Sequence, residues 1–409
     1  MNSLTHIRVF SLVLLAAASA SAGDISPDAF NQARTHLREG IDSGQVAGGS
    51  HLVNHKGRTV YFESAGLRDI ETRQPFDTDT ILRIYSMTKP ITSVAAMMLY
   101  EQGKFQLDDP VSRYIPAFAD TTVLEQDGDA VRIVPARRPI TIRDVFRHTT
   151  GYSYGDGKPS PRVYYEREGI RYRAPAAMLP PQMSIARAAT ALARIPALHH
   201  PGERFTYGFS TDLLGRLIEI WSDKPFDQYL QQSVFKPLHM VDTGFSIPEG
   251  KRKRFASCHT LKNNALGIID KASVSEFNSG FPFLSGGGGL LSTVPDYAHF
   301  CRMLVDYGMF QGQRLLKEDT VRLMFTDQLN GVAGDFRFGL GFAIADVPVG
   351  PADQQRQVKQ YSWGGYASTD FRLVPDEHLF QIVARQRVPS AHGLAQRLFP
   401  VIYHGLPTQ

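Results

Sequence analysis

Apolar positions along this chain repeat with two periods, and their order predicts an architecture. Across residues 28–41, Phe30, Ala33, Leu37 and Ile41 fall three and four apart, the spacing of one buried helical face, and Gly44 follows as a stop. Residues 49–54 and 59–64 read as two strands joined by His55-Lys56-Gly57-Arg58, a hairpin with a glycine turn. A strand-like run at 81–85 leads into a helix whose buried face is Ile91, Val94, Ala95, Met98 and Leu99, ending at Gly103. Pro90 is tolerated in its first turn, where backbone N–H groups have no intrahelical partner to lose.

From about 105 to 280 the pattern is helical and broken by Pro and Gly, with 140–148 and 213–222 the clearest helices. Beyond it come a helix at 295–307, strands at 338–345, 357–363, 369–374 and 379–385, and a closing helix at 391–403. Strands at both ends around a helical middle predict an α+β fold: one antiparallel sheet built from 23–104 and 281–409, flanked by helices, with 105–280 as a mostly helical inserted domain. A cleft between the two parts is the natural place for a site.

Composition fits a folded globular chain: 43% of the 409 residues are hydrophobic and 21% charged. The net charge of +4, from 44 basic and 40 acidic side chains, is too small an excess to point to nucleic acid. The first 22 residues read as a secretory leader, with Arg8 before an apolar run at 9–18 and Ala20-Ser21-Ala22 before Gly23. Cleavage after Ala22 and export to the periplasm or the medium are expected. The run is shorter than the roughly 20 residues that span a bilayer, so no stable membrane span is expected. Cys258 and Cys301 allow at most one disulfide, and spacing leaves open whether they pair. His199-His200 lacks the further ligands of a zinc site, and neither a metal nor another cofactor is expected.

Candidate chemistry begins at Ser86-Met87-Thr88-Lys89, which places a hydroxyl and an amine three residues apart at a helix start, on one face. A serine is a poor nucleophile without a base, and an amine serves as one only when neutral, a form that burial and the positive helix end both favour. In Phe205-Thr206-Tyr207-Gly208-Phe209-Ser210, just before a helix, a phenol at Tyr207 facing the cleft can take the serine proton and return it to the leaving group. At Trp363-Gly364-Gly365-Tyr366 two glycines let a substrate approach the backbone, so the N–H groups of Ser86 and Tyr366 can face a developing oxyanion. Each piece alone has a duller reading: a solvated helix start, a core tyrosine, a tight turn.

A competing motif is Gly151-Tyr152-Ser153-Tyr154-Gly155, the Gly-x-Ser-x-Gly of a nucleophile elbow. That elbow needs a buried strand before it and a helix after it, whereas an amphipathic helix with Arg143, Asp144, Arg147 and His148 precedes and Asp156-Gly157-Lys158-Pro159 follows. The stretch reads as a loop after a helix, and His148 as a capping or packing residue.

Ser86-Met87-Thr88-Lys89, Tyr207 and Trp363-Gly364-Gly365, in this order, resemble the serine β-lactamase and penicillin-binding protein superfamily, most closely its class C-like family VIII carboxylesterases. Ser285-Gly286-Gly287-Gly288-Gly289-Leu290 with Ser292-Thr293 and Asp296-Tyr297 is similar to that branch too. The resemblance implies an acyl-enzyme on Ser86, made and hydrolysed with Lys89 and Tyr207, and a small ester or amide as substrate. Two departures from the β-lactamase pattern stand out: Phe209 takes the place of an asparagine, and Trp363 that of the lysine that helps hold a carboxylate. Losing a cation and an amide donor for aromatic walls implies a preference for neutral esters, with Trp363, Gly364, Gly365 and Phe209 binding substrate. A β-lactamase, a D-amino-acid peptidase or transesterase, and a non-catalytic penicillin-binding-like sensor are the alternatives.

Overall fold

The computed structural model describes residues 25–128, 130–170, 183–280, 283–349, 355–391 and 393–406, so the leader expected at 1–22 lies outside the described residues. An antiparallel sheet of eight strands runs in the order Arg337–Phe338, Ala343–Val349, Arg356–Gly365, Thr369–Val374, Leu379–Arg385, Gly48–His55, Arg58–Asp69, Gln74–Pro75. Early and late parts of the chain meet inside it, where Leu52 faces Ile382. The hairpin turn holds Lys56 at φ 48° and Gly57 at φ 79°, the left-handed pair that matches the twist of its strands.

Helices cover both faces. In Leu379–Arg385, Phe380, Ile382 and Ala384 join the main core with Ile91 and Val94 of Thr88–Glu101 and Phe300 of Val294–Val305. The alternate residues Leu379 and Val383 join a second core with Leu37 of Pro27–Asp42 and Leu398 and Ile402 of Leu394–Gly405. Burial on both sides means that every position of this strand is covered, rather than every second one.

The middle region carries, besides helices such as Ile142–Phe146, Ile185–Ala193 and Ser210–Ser222, the hairpins Thr122–Asp127 with Ala130–Pro135 and Cys258–Lys262 with Ala265–Asp270. Ala130–Pro135 is exposed at five of its six positions, so no burial alternation marks it in the sequence. The strand expected at 338–345 is two, Arg337–Phe338 and Ala343–Val349, because Gly341 at φ 101° turns the chain between them. Of the run 81–85, only Leu82–Arg83 forms a strand, paired with Leu291–Ser292. Cys258 and Cys301 are both buried and free, so the disulfide left open by their spacing is not formed.

The helix Ile142–Phe146 is short, and a capping box of Thr141 and Asp144 starts it. Burial works against the Asp144 carboxylate, but bonds from Arg138, Thr141 and Arg147 outweigh it and hold its pKa at about 2. Because the folded value lies below the usual 3.8, this carboxylate stabilises the fold above pH 4, and the contribution disappears as pH falls towards 2. Asp144→Asn is expected to cost on the order of 2 kcal/mol at pH 7 by urea unfolding, with the gap narrowing near pH 2.5. A gap of equal size at both pH values would mean that charge is not the cause.

Candidate active site

Ser86 lies in a single turn, Tyr85–Met87, directly ahead of the helix Thr88–Glu101. The chain reaches it through Tyr85, a non-glycine residue at φ 41°, a backbone state that persists only where the surroundings enforce it. Those surroundings are visible. Arg83, fully buried, binds Asp270 at 2.6 Å and the Ala256 carbonyl at 2.6 Å, with Phe255 under its guanidinium. Ile84 N–H donates to Leu290 O at 3.2 Å, and the Tyr297 hydroxyl donates to Met87 O at 3.0 Å. The turn Tyr85–Met87 is thus held at a fixed position while Ser86 itself stays half-exposed.

One helical turn on, Lys89 is 1% exposed, and its Nζ lies 3.3 Å from Ser86 Oγ, 2.9 Å from the Tyr154 hydroxyl and 2.6 Å from Gly287 O. The Ser-x-x-Lys spacing therefore brings hydroxyl and amine together, out of bulk water. The helix start is not a solvated one.

Tyr207 reaches the same place, though differently from the expectation. Its ring face lies 4.5 Å from Lys89 Nζ, and its hydroxyl takes a 3.4 Å contact from Trp363 Nε1. The phenol that bonds the amine is Tyr154, from the stretch that reads as a loop after a helix. Two loops cross here because Gly208 packs directly on Tyr152 O and Ser153, where a Cβ has no room, so Tyr154 and Tyr207 stand edge to face with centroids 5.7 Å apart. Ser153 is no nucleophile in this arrangement: its Oγ donates to Asp156 O at 2.5 Å and accepts from Gly155 N at 3.1 Å, closing a turn.

His148 is 1% exposed and packs 5.0 Å behind Tyr207; burial, and then the Lys89 charge, push its pKa well below the ordinary imidazole value, so it is a neutral packing residue. His199 braces the Tyr207 loop through Nε2 and Thr206 Oγ1, 2.7 Å apart. Among the described residues no group of three His, Cys, Asp or Glu could hold a metal ion.

Trp363, Gly364 and Gly365 end the strand Arg356–Gly365, and Gly365 packs against Ile84 O and Thr369 Oγ1 with no space for a side chain. That contact sets the loop beginning at Tyr366 beside the turn Tyr85–Met87; the Tyr85 and Tyr366 rings meet edge to face at 6.0 Å. From Tyr207 and Trp363 an aromatic cluster runs through the buried Phe338 to the half-buried Phe205 and the exposed Phe336. Phe209 is not part of it. It is 2% exposed, packed behind Tyr154 and stacked on Tyr165, so its expected place in the substrate wall is corrected to a support for Tyr154.

The glycine run also proves to be structural chemistry. Thr92 Oγ1 donates to Gly286 O at 2.8 Å, Leu290 N–H donates to Thr88 Oγ1 at 3.2 Å, and Gly287 N–H donates to Asp212 Oδ1 at 3.1 Å. A concavity of about 560 Å3 between Asp227, Gln231, Asp242 and Phe245 has none of Ser86, Lys89, Tyr154 or Tyr207 in its wall. That concavity lies apart from the cluster at Ser86, which is marked instead by the convergence of hydroxyl, amine and phenols.

A family model described as Beta-lactamase matches residues 33–398. The chain belongs to the Beta-lactamase family. Protein Rv1367c of Mycobacterium tuberculosis is 33% identical over 376 residues, covering 87% of this chain and 89% of its own length. Acyltransferase mokF of Monascus pilosus is 28% identical over 314 residues (72% and 70%), and the Lovastatin esterase of Penicillium rubens 29% over 303 residues (72% of each). Among solved structures, EstCE1, a hydrolase with promiscuous acyltransferase activity, shares the fold with a TM-score of 0.73 at 23% identity, over 92% of this chain and 98% of its own. The Beta-lactamase fold and a hydrolase or acyl-transferring type of enzyme follow for this chain.

Proposed function

We propose that this Beta-lactamase family member is a serine carboxylesterase of small neutral esters that works through an acyl-enzyme on Ser86. The observation that carries the reading is the buried Lys89 amine 3.3 Å from the Ser86 hydroxyl, fixed by Tyr154 and Gly287. In the proposed reaction Ser86 Oγ attacks the ester carbonyl as its proton passes to Lys89, the oxyanion is met by the N–H groups of Ser86 and Tyr366, and the alcohol leaves with a proton returned through Tyr207. Water then attacks the acyl-enzyme with the same groups acting in reverse. The reading includes export after cleavage near Ala22, which the leader pattern supports.

Preference for neutral esters rests on Trp363 and Tyr207, aromatic side chains that offer a carboxylate no cation and an apolar acyl or alcohol group an apolar contact. Transfer of the acyl group to an alcohol instead of water is a second reading, favoured by the acyltransferase mokF among the relatives. Turnover of short-chain p-nitrophenyl esters is compared with that of nitrocefin on the purified protein. The ester specificity constant is expected to be higher by on the order of a hundredfold; a higher value for the lactam reverses the assignment.

A further inference from the structure

We infer that Asp212 is a positioning residue for Lys89, holding the Gly287 carbonyl on its amine and facing, across Gly287, the charge that forms there when Ser86 gives up its proton. The inference rests on the reading of Lys89 as the partner of Ser86. Asp212 lies in the first turn of Ser210–Ser222, where an acidic side chain is ordinary, because it meets the positive end of the helix. Its bonds, however, leave the helix. Oδ1 accepts from Ser285 Oγ at 2.5 Å and from Gly287 N–H at 3.1 Å, while Gly287 O accepts from Lys89 Nζ at 2.6 Å. Gly287 is thus clasped between the carboxylate and the amine. A Cβ on it would come within 2.6 Å of Asp212 Oδ2, so only glycine fits.

The second carboxylate oxygen makes the case for a charge role. Asp212 is 5% exposed, its Oδ2 is buried without a hydrogen-bond partner, and the residue borders a small void lined also by Ile170, Ile185, Leu192 and Leu213. Such an oxygen is costly to ionise. Burial does raise the Asp212 pKa, against which the Lys89 charge and the bonds from Ser285 and Gly287 act. Carboxylate and amine stand on opposite sides of Gly287, so a positive charge formed on Lys89 as Ser86 gives up its proton meets a negative one held in place by Ser285 and Gly287. The other groups around Lys89 are Ser86 on its own turn, Tyr154 and Tyr207 from the two crossing loops, and His148, neutral, behind Tyr207.

The test is the pH dependence of kcat/KM on a p-nitrophenyl ester for the unaltered protein, Asp212→Asn and Ser285→Ala. Asp212→Asn keeps an acceptor for Gly287 but removes the negative charge beside the amine; the acid limb is expected to move down by about one pH unit and the plateau to fall about tenfold. Ser285→Ala removes one bond to the carboxylate and keeps the charge, so its acid limb stays in place. An acid limb in Asp212→Asn equal to that of the unaltered protein overturns the inference and leaves Asp212 a structural residue. Should Asp212→Asn not fold, Asp212→Ser removes the same charge and carries the same comparison. The reading beneath is checked separately, by labelling with a fluorophosphonate: adduct on a serine other than Ser86 removes that reading whatever the acid limb does.

Discussion

Replacing Lys89 with methionine is expected to lower ester kcat/KM by about 10³-fold or more, with little change in the urea midpoint. Methionine nearly matches the lysine stem in volume, so the buried channel between Ser86, Tyr154 and Gly287 stays filled, and a buried amine is removed at the same time as its three bonds. What is lost is the amine beside the Ser86 hydroxyl. Activity within tenfold of the unaltered enzyme, measured with a saturating short-chain ester, would show that another group activates the serine.

The two tyrosines are expected to differ. Tyr207 is half-exposed between Lys89 and Trp363, so Tyr207→Phe removes the hydroxyl that would meet substrate, costing about 10²-fold or more in kcat/KM. Tyr154 is wedged between Tyr207 and Phe209 with its hydroxyl on the amine, so Tyr154→Phe loosens Lys89 and costs about tenfold. Steady-state kinetics of the two single variants decide between the roles. A larger loss in Tyr154→Phe than in Tyr207→Phe would exchange them.

Much of this arrangement is legible in the sequence because it follows from periodicity and short-range spacing. Ser86 and Lys89 lie one helical turn apart, so their meeting is local geometry, and the strands that flank the late turns show themselves as apolar runs such as Leu379–Arg385. What stays hidden depends on contacts between distant segments. Tyr154 sits in a stretch whose serine fails every requirement of an elbow, and nothing in that stretch signals that its phenol meets Lys89. The meeting depends on the loop crossing at Gly208, more than fifty positions further along the chain, where the absence of a side chain lets the two loops touch.

Phe209 shows the opposite error. Two residues from Tyr207, it invites assignment to the same wall, but it caps the helix Ser210–Ser222 and its ring turns inward to Tyr165. Asp212 reads as an ordinary first-turn acid until Gly287, 75 positions away, is found on its carboxylate. Position relative to a helix start is visible in sequence; the partner across the cleft is not.

Mass spectrometry after a fluorophosphonate probe asks which serine carries the reaction. A single adduct on the peptide containing Ser86, absent from Ser86→Ala and slow to form in Lys89→Met, is the predicted result. Adduct on Ser153 or any other serine, or labelling of Ser86→Ala at the unaltered rate, would contradict it.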